Sequence, residues 1–148
     1  AITIADWGKL RGYGDDLRWG DQVDQAAKIG YACLGNEGHP MFEYWDRDGQ
    51  NRKCRAPQAL DLEKWYHVTF TYDSVRCAIY VDGEICAEDA ASPIAAGKRR
   101  VRVGAEHADG FHLLNGTIDD LIHYPRALSG EEAQALFKAR LANSPVRF

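Results

Sequence analysis

The sequence predicts an all-β fold: an antiparallel β-sandwich followed by one short C-terminal helix. Three observations support this prediction. Short runs of β-branched and aromatic residues recur along the chain, with turn residues between them. No helical segment separates these runs, which favours antiparallel pairing over crossover connections. Only the end of the chain changes to the spacing of apolar residues that is typical of a helix.

The first half contains four predicted strands. Glycines 35 and 38 frame a turn that predicts a hairpin, and Asp46–Gly49 predicts the next turn. Pro57 ends the fourth strand because proline cannot donate a hydrogen bond to its neighbour. The predicted strands are Ile2–Ile4, Tyr31–Leu34, Met41–Trp45 and Asn51–Arg55.

The second half contains five more predicted strands and the helix. Asp82-Gly83 is a hairpin dipeptide, since glycine accepts a positive φ without a Cβ clash. Ser129 and Glu132 have the spacing of a capping box, which predicts that the helix begins there. The predicted strands are Trp65–Tyr72, Cys77–Val81, Glu84–Ala87, Arg99–Val103 and Gly116–Tyr124, and the apolar face of the helix is Ala133, Leu136, Phe137 and Leu141.

Composition and charge exclude several classes of protein. The chain has 148 residues, 45% of them hydrophobic, which fits one domain over residues 1–148 with a sizeable core. The formal charge of −4 argues against a dedicated nucleic-acid binder. No apolar run approaches the ~20 residues that span a bilayer, so we expect no membrane span.

The four cysteines leave their pairing open. Cys33, Cys54, Cys77 and Cys86 include no C-x-x-C pair, which disfavours a zinc site. They allow three complete pairings, and the sequence does not choose among them. Buried, unoxidised thiols are an equally good interpretation.

Three motifs occur in order along the chain: W-Y-H-V-T-F-T-Y-D at Trp65–Asp73, I-Y-V-D-G at Ile79–Gly83, and G-T-I-D-D-L at Gly116–Leu121. The segment R-A-L-S-G-E-E follows at Arg126–Glu132. This ordered set resembles the laminin-G-like, concanavalin A-like lectin/glucanase family. The resemblance implies a jelly-roll of two antiparallel sheets and an extracellular or secreted location.

The front of the chain departs from this pattern. Members of the family carry one or two strands before the strand that Ile2–Ile4 resembles, and this chain has none. We expect the resulting open edge to be covered by the tail, by a second copy in a homo-oligomer, or by sequence absent from a fragment.

The resemblance also nominates a Ca²⁺ site. The aspartate of the family's I-D-[DE] strand matches Asp119, with Asp120 as a weaker ligand, and calcium prefers such hard oxygen ligands. The alternative is that Asp119 accepts hydrogen bonds from backbone amides at a strand corner.

Two further features suggest glycan binding. Trp45 faces away from Phe42 and Tyr44 in its strand, so its ring is available for stacking on a sugar, although aromatics in sandwiches are more often core. Trp65 is expected in the core. Three cations on one face of a strand, Lys98, Arg100 and Arg102, suit sulfated or uronic glycans, or else keep an exposed strand from pairing with its neighbours.

These features favour a non-catalytic carbohydrate-recognition module. No E-x-D-x-x-E motif is present, and Glu43 and Asp46 have the odd spacing that puts them on opposite faces of a strand, so no catalytic residue is predicted. The alternative is a structural or protein–protein interaction module of a larger extracellular protein. A glycan-cleaving enzyme of the same fold is the third interpretation.

Overall fold

A computed structural model describes residues 1–12, 30–34, 37–94, 103–104 and 114–143. In these ranges the predicted β-sandwich with a C-terminal helix is confirmed. The predicted strand at Arg99–Val103 falls, except for Val103, outside the described residues. The elements are β1 (Ile2–Leu10), β2 (Gly30–Leu34), β3 (Pro40–Trp45), β4 (Asn51–Arg55), β5 (Trp65–Tyr72), β6 (Arg76–Val81), β7 (Glu84–Ala90), β8 (Gly116–Tyr124) and α1 (Gly130–Asn143).

The strands form two antiparallel sheets. The five-stranded sheet has the order β7-β6-β5-β1-β8, and the three-stranded sheet has the order β2-β3-β4. Strand β1 is longer than the predicted Ile2–Ile4, because pairing with β5 on one side and β8 on the other keeps it extended as far as Leu10. Residues 5–10 mix small, charged and apolar types, so their sequence alone gives little indication of a strand.

The core lies between the sheets and follows the alternation of side chains along each strand. Phe42 and Tyr44 of β3 meet Tyr72 of β5, with ring centroids 5.3–5.8 Å apart. The Tyr72 hydroxyl donates to the Ser92 carbonyl (2.7 Å) and accepts from the Ile94 amide (2.9 Å). The same aromatic layer therefore also holds the segment that follows β7.

Helix α1 covers the outer face of the five-stranded sheet. The predicted capping box is confirmed: the Glu132 amide donates to Ser129 Oγ, and the Ser129 amide donates to the Glu132 carboxylate. Phe137 packs against the rings of Trp7 and His67, at 5.8 and 5.9 Å. No helix of the described residues is long and apolar enough to span a membrane.

The β6–β7 hairpin needs a glycine for two reasons. Asp82 and Gly83 have φ of 52° and 79°, as the tight hairpin requires. A Cβ at Gly83 would also lie 3.1 Å from the Cα of Gln134, so the helix approaches this turn closely. The dipeptide that predicts the turn thus also allows the helix to dock.

Strand β1 carries a carboxylate into the core. Asp6 shares the inward face of Ile4, and its side chain is fully buried. A β-bulge in β8 places two residues, Asp120 and Leu121, opposite this single residue. Neither carboxylate oxygen finds a hydrogen-bond partner within the described chain. Burial therefore raises the pKa of Asp6 well above its ordinary value.

We expect Asp6→Asn to raise the free energy of unfolding at pH 7 by about 1–3 kcal/mol. The native carboxyl holds its proton at a pH where the unfolded one has lost it. The cost of burying Asp6 is thus smallest below the unfolded pKa of about 3.9 and grows as pH rises toward the native pKa. Urea unfolding of both proteins between pH 4 and pH 8 measures this difference.

The exposed turn residue Asp48 supplies the control variant, Asp48→Asn, which should show no such gain. If the difference in the free energy of unfolding between Asp6→Asn and the parent chain does not grow with pH, the raised pKa of Asp6 is contradicted.

Candidate ligand-binding face

The outer face of the three-stranded sheet carries aromatic and polar side chains. Phe42 and Tyr44 are buried in the core, so the alternate residues of β3 point away from it. The register of β3 with β4 pairs Trp45 with Asn51, Glu43 with Lys53, and Met41 with Arg55. These six residues are called the outer face below.

Glu43 lies at the centre of the outer face and is 5% exposed. Its Oε1 accepts a hydrogen bond from Asn51 Nδ2 at 2.6 Å, and its Oε2 lies 3.3 Å from Lys53 Nζ. Asn51 is exposed, and half of the Lys53 side chain is exposed. The pairings hold the carboxylate in one orientation and leave amide and ammonium donors at the surface beside Trp45.

The charges on and beside this face are balanced. Strand β4 presents three cations, which would attract anions if they were unpaired. Each has an acidic partner: Arg52 with Asp46 at 2.8 Å, Lys53 with Glu43 at 3.3 Å, and Arg55 with Glu37 at 3.0 Å. The described part of this sheet therefore suits a neutral ligand better than an anionic one.

Asp46 holds the β3–β4 hairpin together. Its Oδ1 accepts the amides of Asp48 (3.1 Å) and Gln50 (2.8 Å), and its Oδ2 accepts from Arg52 Nε (2.8 Å). Burial by itself would raise the pKa of this carboxyl, but Arg52 and the two amides hold the pKa of Asp46 below its ordinary value. The charged carboxylate thus stabilises the turn that sets Trp45 opposite Asn51.

The two tryptophans singled out by the sequence lie in different surroundings. Trp45 is half-buried on the outer face. The expectation that Trp65 belongs to the core is wrong. Trp65 begins β5 on the face away from the core and is only partly buried, and Lys9 Nζ lies 5.5 Å from its ring centroid.

The two predicted calcium ligands are not brought to this face. Asp119 and Asp120 are exposed on β8, which is an edge strand of the five-stranded sheet. The Asp119 Oδ1 accepts the amide of Asp120 at 2.8 Å, and Asp120 has φ of 52° in the bulge. In the described ranges, no group of three or more His, Cys, Asp or Glu is placed to hold a metal. Lys98, Arg100 and Arg102 lie outside those ranges.

Sequence reasoning missed Glu43, Asn51 and Lys53 as members of a site with Trp45. The signal was present in the hairpin. Counting outward from the Asp46–Gly49 turn places Asn51 opposite Trp45 and Lys53 opposite Glu43. An error of one residue in that count would have moved all of these side chains to the other face.

A second concave surface lies between residues 56–61 and strands β5–β7. This groove encloses about 510 Å³, and Tyr66, Val81 and Ile85 contribute to its walls. At its rim Asp61 Oδ2 lies 2.6 Å from Lys64 Nζ and 3.3 Å from the Tyr66 hydroxyl. The Lys64 ammonium and this hydroxyl hold the pKa of Asp61 below its ordinary value. The charged groups at the rim of this groove, Asp61 and Lys64, are therefore already paired with one another.

Solved structures with the same fold include several binding domains. The binding domain of Paraclostridial Mosquitocidal Protein 1 superposes with a TM-score of 0.74 at 16% identity, over 95% of this chain and 37% of that one. Domain 4 of a GH43 extracellular arabinanase from Geobacillus stearothermophilus was solved with arabinotriose. It superposes with a TM-score of 0.75 at 17% identity, over 91% of this chain and 65% of that one. A putative carbohydrate binding protein from Bacteroides ovatus superposes with a TM-score of 0.69 at 18% identity, over 90% of this chain and 39% of that one.

This chain therefore spans less than two thirds of each of these three proteins. No curated protein sequence matches it significantly. A family profile, in contrast, matches residues 1–134, which is most of the chain. The sandwich, the ordered motifs and this match lead to one assignment: the chain belongs to the concanavalin A-like lectin/glucanases superfamily.

Proposed function

We propose that this chain is a non-catalytic carbohydrate-binding module whose glycan lies on the outer face of the three-stranded sheet. The observation that carries the proposal is the half-buried ring of Trp45 beside Asn51 and the Glu43–Lys53 pair. A sugar ring has an apolar face of C–H groups that stacks on an aromatic ring. Its hydroxyl groups bond to amide, ammonium and carboxylate groups at the edge.

Each residue then has a separate part in binding. Trp45 supplies the stacking surface, Asn51 and Lys53 donate their remaining N–H groups to sugar oxygens, and the buried Glu43 holds both donors in place. Because Glu43 is already held by two neighbours, little side-chain entropy is lost when the sugar arrives.

The comparisons support a binding role without assigning the ligand. The arabinanase domain was solved with arabinotriose, and the Bacteroides ovatus protein is described as a putative carbohydrate binding protein. Because the arabinanase is extracellular, we extend an extracellular location to this chain as part of the proposal. The competing role is a structural or protein–protein interaction module of a larger extracellular protein.

The geometry of the nearest carboxylates supports the non-catalytic part of the proposal. A glycosidase places two carboxyl groups on either side of one bond. Glu43 bonds Asn51 and Lys53 on the outer face, whereas Asp46, three residues on, bonds the turn amides and Arg52. Alternation along the strand directs the two side chains to opposite faces, so they cannot act on one glycosidic bond.

The described residues do not by themselves complete a calcium site. Calcium takes about six to eight oxygen ligands. Asp119 and Asp120 supply carboxylates, but the described chain adds no third acidic residue beside them, and Asp119 is engaged with a backbone amide. Calcium therefore stays a prediction, and the proposed glycan contacts do not depend on it.

We expect glycan binding through the outer face to persist in a chelator. An array of neutral and acidic glycans, probed in calcium and again in EDTA, measures this. Binding that disappears in EDTA and is lost in Asp119→Asn would show instead that calcium is required.

We expect Trp45→Ala to weaken glycan binding at least tenfold, because the stacking surface is lost. Isothermal titration with the best glycan from the array gives the affinity. Trp65→Ala is the matched control, since it removes another partly buried tryptophan from the outward face of the other sheet. Equal losses in both variants, or no loss in Trp45→Ala, would contradict the assigned face.

Binding of an anionic glycan through Lys98, Arg100 and Arg102 is a separate proposal. If these three cations form an anion site, Arg100→Glu should abolish retention on a heparin column at low salt. Lys53→Glu is the comparison, because Lys53 is already paired with Glu43. Unchanged retention in Arg100→Glu would rule out this site.

If the glycan array shows no binding with calcium or with EDTA, that result would favour the protein-binding alternative.

A further inference from the structure

Two cysteines from different sheets meet in the core. Cys54 is the inward residue of β4, and Cys77 is an inward residue of β6, which packs against β4. Their exposed fractions are 0% and 2%. The Cys54 Sγ lies 4.0 Å from the Cys77 carbonyl oxygen, and the Cys77 Sγ lies 3.6 Å from the Asp89 carbonyl oxygen. The two side chains thus belong to the same buried cluster between the sheets.

The thiols also interact with each other. Contact with the Cys54 thiol holds the pKa of Cys77 below its ordinary value, while the same contact and burial raise the pKa of Cys54. Cys86 is engaged elsewhere, since its Sγ donates to the Ile79 carbonyl at 3.3 Å and it lines the groove at residues 56–61.

We infer that Cys54 and Cys77 form a disulfide bond that joins the two sheets when the chain folds under oxidising conditions. This selects one pairing from those that the sequence leaves open. The inference rests on the packing of the core and does not depend on the proposed glycan-binding function.

The chemistry balances with a small disulfide such as oxidised glutathione as the oxidant. The thiolate of one of the two cysteines attacks the S–S bond of oxidised glutathione, which gives a mixed disulfide and one glutathione thiolate. The thiolate of the other cysteine then attacks the protein sulfur of this mixed disulfide and releases the second glutathione. The protein loses two protons and two electrons, and the glutathione disulfide gains both. Because both sulfur atoms are buried, the exchange occurs before the sheets close, and the finished bond is shielded from reductant.

Peptide mapping of the full chain tests the inference. The chain is refolded from urea in reduced and oxidised glutathione, its remaining thiols are alkylated, and it is digested without reduction. We expect peptides containing Cys54 and Cys77 to be linked, with loss of two hydrogen atoms. Dithiothreitol should break the link only after the protein is unfolded. Reduction should lower the urea midpoint by about 1–2 M, because the bond closes a loop of intermediate length.

Cys86→Ser is the matched control and should keep the linked peptides, whereas Cys77→Ser should lose them. The mapping of the parent chain does not depend on whether either variant folds. Cys54 and Cys77 both recovered as alkylated thiols after oxidative refolding, or each linked to another cysteine, would overturn the inference.

Discussion

The contact between the two sheets is the constraint on which the rest of the structure depends, and Tyr72 lies at its centre. Its ring contacts Phe42 and Tyr44 of the opposite sheet, and its hydroxyl bonds the main chain at Ser92 and Ile94. Stacked sheets pack about 10 Å apart, and in this core large aromatic side chains fill part of that space. Once these side chains point inward, alternation along each strand determines which residues point outward.

The two outward faces have different surroundings. On the five-stranded sheet, Trp7 and His67 are buried under Phe137 of α1. On the three-stranded sheet, Trp45 stays only half-buried, and its polar neighbours Asn51 and Lys53 are exposed. Trp7 and His67 are therefore covered by the helix, whereas Trp45 lies beside charged and polar side chains.

The core also contains groups that are not purely apolar. Asp6 places a carboxyl without a hydrogen-bond partner in the described chain next to aliphatic side chains, which opposes folding. Cys54 and Cys77 belong to the same buried cluster, where the proposed disulfide would join them. An inter-sheet bond would restrict the unfolded chain and so offset part of the cost of burying a carboxyl.

Local signals in the sequence determined the elements. The β-branched and aromatic residues of Trp65–Tyr72, the Asp82-Gly83 turn and the Ser129–Glu132 capping box each act within a few residues, so the pattern alone predicts them correctly. The outward orientation of Trp45 also follows from alternation. The same alternation places Trp65 on the face opposite Phe70 and Tyr72, so its outward position is also contained in the sequence. Only the tertiary structure decided how far β1 extends and that Cys54 meets Cys77. Each of these depends on a partner distant in sequence, either β5 and β8 alongside β1 or β6 beneath β4, and a linear pattern carries no information about which strands become neighbours.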